Sequence, residues 1–262
     1  MVQNNAGRTP LHTAFSANSN LPHFLGGPSE PLLEHINADI DVADYDKIRP
    51  IHLASSFSSE LTYRLLELGA DTSVLTVEHQ TPLMVAVRKR QCNTVGILLD
   101  HYREHNLLSL VDQVDIEGRS ALHYACRSGR PGTVTLLLEN GASINLKERR
   151  NLTPLYACAE YLEEQTSWYK AAPPSEPSML EWSSYVLLTD RDRPFEPQYP
   201  GKPLHVRESI RALVAKGADT SFLMKSGHGS PISDPLTDAI TKGCEAMVSE
   251  LLIIQGWVST KQ

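Results

Sequence analysis

The sequence lacks any run of about 18 apolar residues, the length that a membrane-spanning helix needs. The residues VQNNAGRTP after Met1 also lack the apolar core of a secretory signal, so we expect a cytoplasmic or nuclear protein with no membrane partner. Cysteine is scarce, and Cys92, Cys126, Cys158 and Cys244 form no C-x-x-C pair, which argues against a structural zinc site. We predict that Cys126 and Cys158 are buried free thiols, as suits a reducing compartment.

Positive charge is in the minority, with 24 Lys and Arg against 31 Asp and Glu and a net charge of −7, so there is no general attraction to nucleic acid. The sequence also lacks the phosphate-binding patterns G-x-x-x-x-G-K-[ST] and G-x-G-x-x-G, the nucleophile elbow G-x-S-x-G and the zinc motif H-E-x-x-H. Asp190 and Asp192 alternate with Arg191 and Arg193, which is typical of a solvated loop rather than a catalytic carboxylate pair. We therefore expect no enzyme activity, no cofactor, no metal and no small-molecule substrate.

One stretch, GRSALHYACRSGRPGTVTLLLENGASIN at residues 118–145, carries the signals of two short helices. Ser120 is a candidate N-cap, Gly129 and Pro131 separate the helices, and Gly141 suits the left-handed residue that closes the second one. Two such helices cannot bury their apolar faces alone, so the unit must stack on copies of itself.

Copies of this unit recur along the chain. The helix-start pattern T-P-L-H-x-A recurs with variations at residues 9–14, 49–54, 81–86, 153–158 and, faintly, 234–239. A closing Gly-Ala-Asp or close variant stands at residues 37–39, 69–71, 141–143 and 217–219. The chain resembles the ankyrin-repeat family, whose unit of about 33 residues begins with T-P-L-H. The resemblance implies an all-α ankyrin-repeat solenoid of about six helix-turn-helix repeats, forming a single domain over residues 1–262.

The predicted repeats cover about 1–46, 47–79, 80–117, 118–150, 151–230 and 231–258. The fifth is more than twice the usual length, so we predict an insertion at about 160–206 between its two helices. In the third, the outer helix is expected to continue or turn into NLLSLVDQ. A further helix start at residues 203–205 lies too close to Gly217 for an inner helix, so we predict no extra repeat there. The irregular lengths and proline-rich excursions resemble the divergent ankyrin arrays of filamentous fungi.

His12, His52 and His123 occupy the fourth position of the T-P-L-H pattern. The resemblance implies that such a histidine is structural and hydrogen-bonds within its own turn and to the next repeat. His123 and Cys126 have the spacing of two metal ligands on one helix, but the sequence offers no facing pair. The structural role is therefore the favoured interpretation.

Positive charge clusters where successive inner helices end. Arg88, Lys89 and Arg90 end the third inner helix, and Arg127 and Arg130 occupy matching places on the fourth. The resemblance implies that these positions line a concave partner-binding groove, and we hypothesise a basic stripe that binds an acidic peptide. The alternative is ordinary solvated turn charge. Nucleic acid fits less well, because no aromatic residues interleave with the stripe.

Aromatic residues supply further candidate contacts. Tyr45 and Phe57 are predicted apolar anchors near the groove, and Trp168 and Tyr169 form a second candidate site within the insertion. An equal alternative is that the insertion's aromatics anchor it on the solenoid.

The predicted function is a protein–protein interaction module or adaptor that binds a protein or peptide in the groove and finger loops. The alternative is a regulatory or targeting segment of a larger enzyme or effector whose catalytic part lies outside this chain.

Overall fold

The computed structural model describes residues 3–18, 40–158 and 203–219. Within these ranges the regular elements are helices and no residue is in a β-strand, which confirms the all-α prediction. None of the helices there is long and apolar enough to cross a bilayer. The α-helices with defined bounds are α1 (Pro10–Asn18), α2 (Pro50–Phe57), α3 (Ser59–Glu67), α4 (Pro82–Arg88), α5 (Cys92–Glu104), α6 (Ala121–Arg127), α7 (Pro131–Glu139) and α8 (Pro203–Ala215), and residues 154–158 are also helical.

Proline and hydroxyl side chains set the helix starts. Proline is the first residue of five helices, where its missing N–H costs no hydrogen bond and its fixed φ suits the first turn. At α4, the hydroxyl of Thr81 also accepts a hydrogen bond from the backbone N–H of Met84 at 3.2 Å. These local signals explain why the T-P pattern located the inner helices from the sequence.

The helices stack in two layers. Helices α1, α2, α4 and α6 pack in succession as an inner layer, and α3, α5, α7 and α8 pack in succession as an outer layer. One hydrophobic core runs between the layers and includes the fully buried Phe15, Leu83 and Tyr102. Cys126 and Cys158 are free thiols buried in the same core, as predicted, and Cys244 lies outside the described residues.

Helix α8 is an outer helix, because it packs against α7. This agrees with the prediction that no additional repeat begins at residues 203–205. The insertion predicted at about 160–206 shares residues 203–206 with the start of α8, and its extent stays a prediction. The helix begins early because proline is favoured at the first helical position.

The third repeat ends without a glycine. Helix α5 stops at Glu104, and a 3₁₀ helix, Leu108–Asp112, follows, as expected for NLLSLVDQ. Asn106 has φ 59° at the turn, and the backbone N–H of Leu107 donates to the carbonyl of Tyr102 at 2.7 Å. Asparagine takes the closing role because its short polar side chain tolerates the left-handed conformation.

Candidate interaction surface

The turns that lead into the inner helices, called fingers here, share one conformation. Their tip residues are 4–7, 44–47, 76–79, 115–118 and 148–151. In each tip, the first residue donates its N–H to the residue that follows the tip at 2.9–3.1 Å, and the fourth donates back to the first at 2.8–3.0 Å. The fourth residue always has a positive φ, even where it is Lys47 or His79 rather than glycine. The fingers are therefore fixed hairpin turns.

A ladder of backbone hydrogen bonds joins each described finger to the next. At equivalent positions, the second tip residue donates its N–H to the carbonyl of the third tip residue of the preceding finger at 2.7–3.2 Å. The donor and acceptor pairs are Tyr45 to Ala6, Val77 to Asp46, Ile116 to Glu78 and Arg149 to Glu117. Equivalent side chains of successive fingers are consequently held side by side.

The histidines of the T-P-L-H pattern tie neighbouring repeats together, as the resemblance implied. The Nε2 atoms of His12, His52 and His123 lie 2.9, 3.2 and 3.2 Å from the carbonyl oxygens that precede the next inner helix. In His52 and His123 the Nδ1 atom accepts a backbone N–H at 3.1 Å from the residue that caps the same helix. Burial lowers the pKa of His52 and of His123 to about 4, so both rings are neutral at pH 7 with Nε2 as the donor.

The third repeat has Met84 in place of this histidine and uses a different tie, which the sequence analysis missed. The hydroxyl of Tyr124 donates to Oδ2 of Asp115 at 2.6 Å and accepts from the side-chain amide of Gln80 at 3.2 Å. Burial and the hydrogen bond to Asp115 raise the pKa of Tyr124 to about 12. Arg119 completes the cluster, with Nε 2.9 Å from Asp115 and its guanidinium 5.2 Å from the centre of the Tyr124 ring.

Arg88, the first residue of the predicted basic stripe, contacts acidic and polar neighbours. Its guanidinium donates to Oε1 of Gln80 at 3.0 Å and lies 3.7 Å from Oε2 of Glu78. Its side chain is 28% exposed. Arg88 is therefore positioned by the third finger, and part of its charge is balanced there.

The other predicted cations occupy less regular places. Lys89 is exposed at the end of α4, and Arg90 follows it with φ 61°. In the next repeat the same left-handed conformation belongs to Gly129 at φ 62°, so the residue that matches Arg130 is Gln91. Within the described part of the stripe, Arg127 thus matches Arg88, but Arg130 has no basic counterpart in the third repeat. This corrects the alignment of the stripe.

Arg130 lies at the start of the outer helix α7 and contacts a thiol. Its guanidinium donates to Sγ of Cys92 at 3.3 Å, and the hydroxyl of Thr133 lies 3.5 Å from the same sulfur. Burial by itself would raise the pKa of the Cys92 thiol. The hydrogen bonds with Thr133 and Arg130 and the positive charge of Arg130 have a larger, opposite effect, so the net result is a lowered pKa.

The predicted aromatic anchors differ from each other. Tyr45 is 73% exposed at the second fingertip, and a β-carbon at Gly7 would lie 2.7 Å from its ring, so the ring packs along bare backbone of the first finger. Phe57 is partly buried and packs edge-to-face on Phe15 with ring centres 6.3 Å apart, which places much of it against the core. The second candidate site, Trp168 and Tyr169, lies outside the described residues.

Two exposed apolar side chains escaped the sequence analysis. Val77 and Ile116 are 48% and 47% exposed at the second tip position of the third and fourth fingers, which Tyr45 occupies in the second finger. The signal was present, because aligning the fingers pairs Tyr-Asp, Val-Glu and Ile-Glu at three successive tips. Only the ladder shows that these pairs lie side by side.

The spacing of His123 and Cys126 does not produce a metal site. Both nitrogens of His123 contact the backbone of the array, and burial together with the neighbouring Cys158 raises the pKa of the Cys126 thiol. Across the described ranges, no group of three or more His, Cys, Asp or Glu side chains could hold a metal ion. The geometry instead offers a rigid framework with exposed side chains on its fingers and inner-helix ends.

A family model described as ankyrin repeats (3 copies) matches residues 51–148 and 103–167, so this part of the chain consists of ankyrin repeats. The human transient receptor potential cation channel subfamily A member 1 is 28% identical over 144 residues, which cover 42% of this chain and 13% of the channel subunit. The mouse B-cell lymphoma 3 protein homolog is 31% identical over 160 residues, covering 59% of this chain and 33% of that protein. NF-kappa-B inhibitor alpha from Sus scrofa is 32% identical over 100 residues, covering 38% of this chain and 32% of the inhibitor.

The chain therefore spans a third or less of the length of these relatives. All three are animal proteins, and they give the resemblance to fungal arrays no support. Ankyrin repeats generally mediate protein–protein interaction, and their presence here is consistent with a binding module.

Proposed function

We propose that this chain, as an ankyrin-repeat array, is an adaptor that binds a protein or peptide in its concave groove and along its fingers. The observation that carries the proposal is the repeated tie between neighbouring units, from histidine Nε2 to carbonyl and from fingertip N–H to carbonyl. Loops that are already ordered lose little conformational entropy on binding, so contacts made by exposed side chains on such a framework contribute more of their free energy to affinity. The name of NF-kappa-B inhibitor alpha, a relative built on the same repeats, also describes action on another protein.

The groove residues favour an acidic segment of the partner. Lys89 is exposed, and Arg90 and Arg127 are partly exposed beside it at the ends of two neighbouring inner helices. Arg88 adds a guanidinium oriented by Gln80, although Glu78 offsets part of its charge. A partner carboxylate that displaced Glu78 would gain a prepositioned donor, because planar guanidinium groups bind carboxylates in two-point contacts. The competing interpretation is solvated turn charge with no partner.

The groove is tested with the double variant Lys89→Glu and Arg127→Glu, because neither residue is the cation tied to the third finger. Lys216→Glu at the exposed end of α8 reverses one charge outside the groove, half the change of the double variant, and is the control for added negative charge. Each protein is used to capture partners from a host lysate for mass spectrometry and is titrated with a glutamate-rich fluorescent peptide. Loss of a captured protein and of peptide binding in the double variant alone supports the groove. Equal capture by all three proteins contradicts it and directs attention to Trp168 and Tyr169.

A second candidate function is a regulatory or targeting segment of a larger enzyme or effector. It is favoured by the relatives, in which the matched region is at most a third of the whole protein. The length of the natural open reading frame distinguishes the two: a gene that runs on into a motif-bearing catalytic region favours the targeting segment. Nucleic-acid binding, the least favoured function, predicts retention on a polyanion column that falls steeply with salt.

A further inference from the structure

Three exposed apolar side chains recur at the same position of successive fingers. Tyr45, Val77 and Ile116, called the tip row here, are 73%, 48% and 47% exposed. Each occupies the same position in its finger, and each donates its backbone N–H to the preceding finger. The row is therefore held in register by the backbone rather than by the side chains themselves.

The tip row is bordered by carboxylates in a matching row. The residue after each apolar side chain is acidic, namely Asp46, Glu78 and Glu117. Glu78 lies 3.7 Å from Arg88, and Glu117 lies 3.5 Å from Arg149. Both carboxylates are exposed, and ion pairs at the surface contribute little to stability, so a cation of the partner can compete for them.

The charge at these tips is negative on balance. The three tips also contain Asp44 and Asp115, but both are buried, and each forms an ion pair with an arginine that follows a tip, Arg8 or Arg119. The exposed carboxylates of the row therefore face one lysine, Lys47, and one histidine, His79. The whole chain carries a net charge of −7, which adds a long-range attraction for cations. The next tip reverses the pattern with Arg149 and Arg150, which limits the acidic surface to these three fingers.

We propose that the tip row is a docking surface for an extended segment of a partner protein that combines apolar side chains with lysine or arginine. Exposed apolar side chains bordered by charged ones are typical of interaction sites, and complementary charge selects the partner. Each finger contributes two paired backbone segments about 5 Å apart, so successive tips are spaced by about 10 Å. A polyproline II chain advances about 3.1 Å per residue with about three residues per turn, so every third side chain of a partner in this extended conformation faces a tip.

This proposal rests on the proposed binding along the fingers and deepens it by naming the chemistry of the partner. The tip row has the opposite charge to the cationic groove and meets it where Glu78 lies 3.7 Å from Arg88. A partner that engages both surfaces would present an acidic part to the inner-helix ends and an apolar, basic part to the fingers. Partner binding at one surface can be absent while binding at the other is present, and the variants below distinguish the two cases.

The test uses three fluorescein-labelled peptides of about 12 residues, long enough at about 3.1 Å per residue to pass three tips. The first has leucine at every third position with lysine between, the second replaces lysine by glutamate, and the third replaces leucine by serine. Fluorescence anisotropy measures their affinity for the whole chain, for the tip variant Tyr45→Ser, Val77→Thr and Ile116→Thr, and for a control. The control, Tyr63→Ser and Leu68→Thr, removes two apolar side chains of similar exposure, 48% and 49%, elsewhere on the array.

We expect the leucine–lysine peptide to bind at least tenfold more tightly than the other two, and the tip variant to lose that binding while the control keeps it. Because Tyr45 also packs on Gly7, the double variant Val77→Thr and Ile116→Thr is measured in case the triple variant unfolds. The groove variant Lys89→Glu and Arg127→Glu should bind this peptide as the unaltered chain does. No preference among the peptides, tighter binding of the glutamate peptide, no binding at all, or equal binding by a folded tip variant would each overturn the proposal.

Discussion

Mild acid should weaken the array through two of the histidines that tie its repeats. Burial lowers the pKa of His52 and His123 from 6.5 to about 4 in the folded chain. A lowered pKa means that folding favours the neutral ring, which accepts a backbone N–H at Nδ1 and donates from Nε2. The stability that this provides is complete above pH 6.5 and is lost as the pH falls from there toward 4, because the unfolded chain then binds more protons.

The size of the effect follows from the two pKa values. Between pH 7 and pH 5.5, each histidine should remove about 1.2 kcal/mol from the free energy of unfolding, with a limiting slope of about 1.4 kcal/mol per pH unit. Two histidines together should therefore cost about 2.4 kcal/mol over this range. That is a large fraction of the roughly 5–15 kcal/mol by which folded domains exceed their unfolded states.

The assay is urea unfolding followed by circular dichroism at several pH values between 5.5 and 7, where ordinary carboxylates stay ionised. His52→Met and His123→Met are suitable variants, because Met84 fills this position in the third repeat. Each should be less stable at pH 7, since it leaves a backbone N–H and carbonyl without partners, at about 1–3 kcal/mol for each group. Each should also lose the part of the pH dependence that its own histidine contributes, about 1.2 kcal/mol between pH 7 and pH 5.5.

The control is His79→Gln, which removes an exposed fingertip histidine instead of a buried one. A pH dependence that is the same in the unaltered chain and in both methionine variants would refute the reasoning. It would mean that the rings are solvated or charged in the folded chain, and that the ties between repeats do not depend on the neutral imidazole.

Three further outcomes follow from single contacts. Gly118→Ala should lower the free energy of unfolding by about 2 kcal/mol, since φ is 79° and the new β-carbon would lie 3.1 Å from the backbone of the next finger. Gly141→Ala, where φ is 85° and the space around the new β-carbon is open, should lower it by about 1 kcal/mol. Urea midpoints measure both changes. Tyr124→Phe should cost about 1–2 kcal/mol in the same assay, because the buried carboxylate of Asp115 loses a donor at 2.6 Å, and an unchanged midpoint would show that the cluster is not a tie. Iodoacetamide at pH 7 should modify Cys92 and spare the fully buried Cys126 until the chain unfolds; mass spectrometry locates the label, and a faster reaction at Cys126 would contradict the burial and the pKa directions.

The inner helices and their histidines could be predicted because their signals are local. Proline at the first helical position, a hydroxyl before it and glycine after the outer helix act within one turn of chain. The histidine tie repeats at the same offset in three units, so one motif describes them all. Where the motif breaks at Met84, the replacement joins Gln80 to Tyr124, residues 44 apart, and no pattern within one repeat indicates that pairing.

The basic stripe shows why a site of this kind is harder to predict. The stripe was aligned by counting charges at helix ends, whereas the backbone aligns Arg90 with Gly129 through a shared left-handed conformation. The ion-pair partner of Arg88 is Glu78, which lies in the third finger, the one that leads into the helix of Arg88. A charge pattern alone does not reveal whether an opposing carboxylate already occupies the guanidinium.

The tip row and the groove differ in how strongly the fold constrains them. Side chains that hold the array together, such as those of His52, Asp115 and Tyr124, are buried and hydrogen-bonded, so a substitution there lowers the free energy of unfolding. The side chains of Val77 and Ile116 make no comparable contribution, because the ladder uses only their backbone N–H groups. Threonine at these positions should therefore leave the folded chain intact, and any loss of binding would report on recognition. Stability and partner choice are consequently separable in this molecule, which makes substitution at the fingertips the cleanest way to identify what it binds.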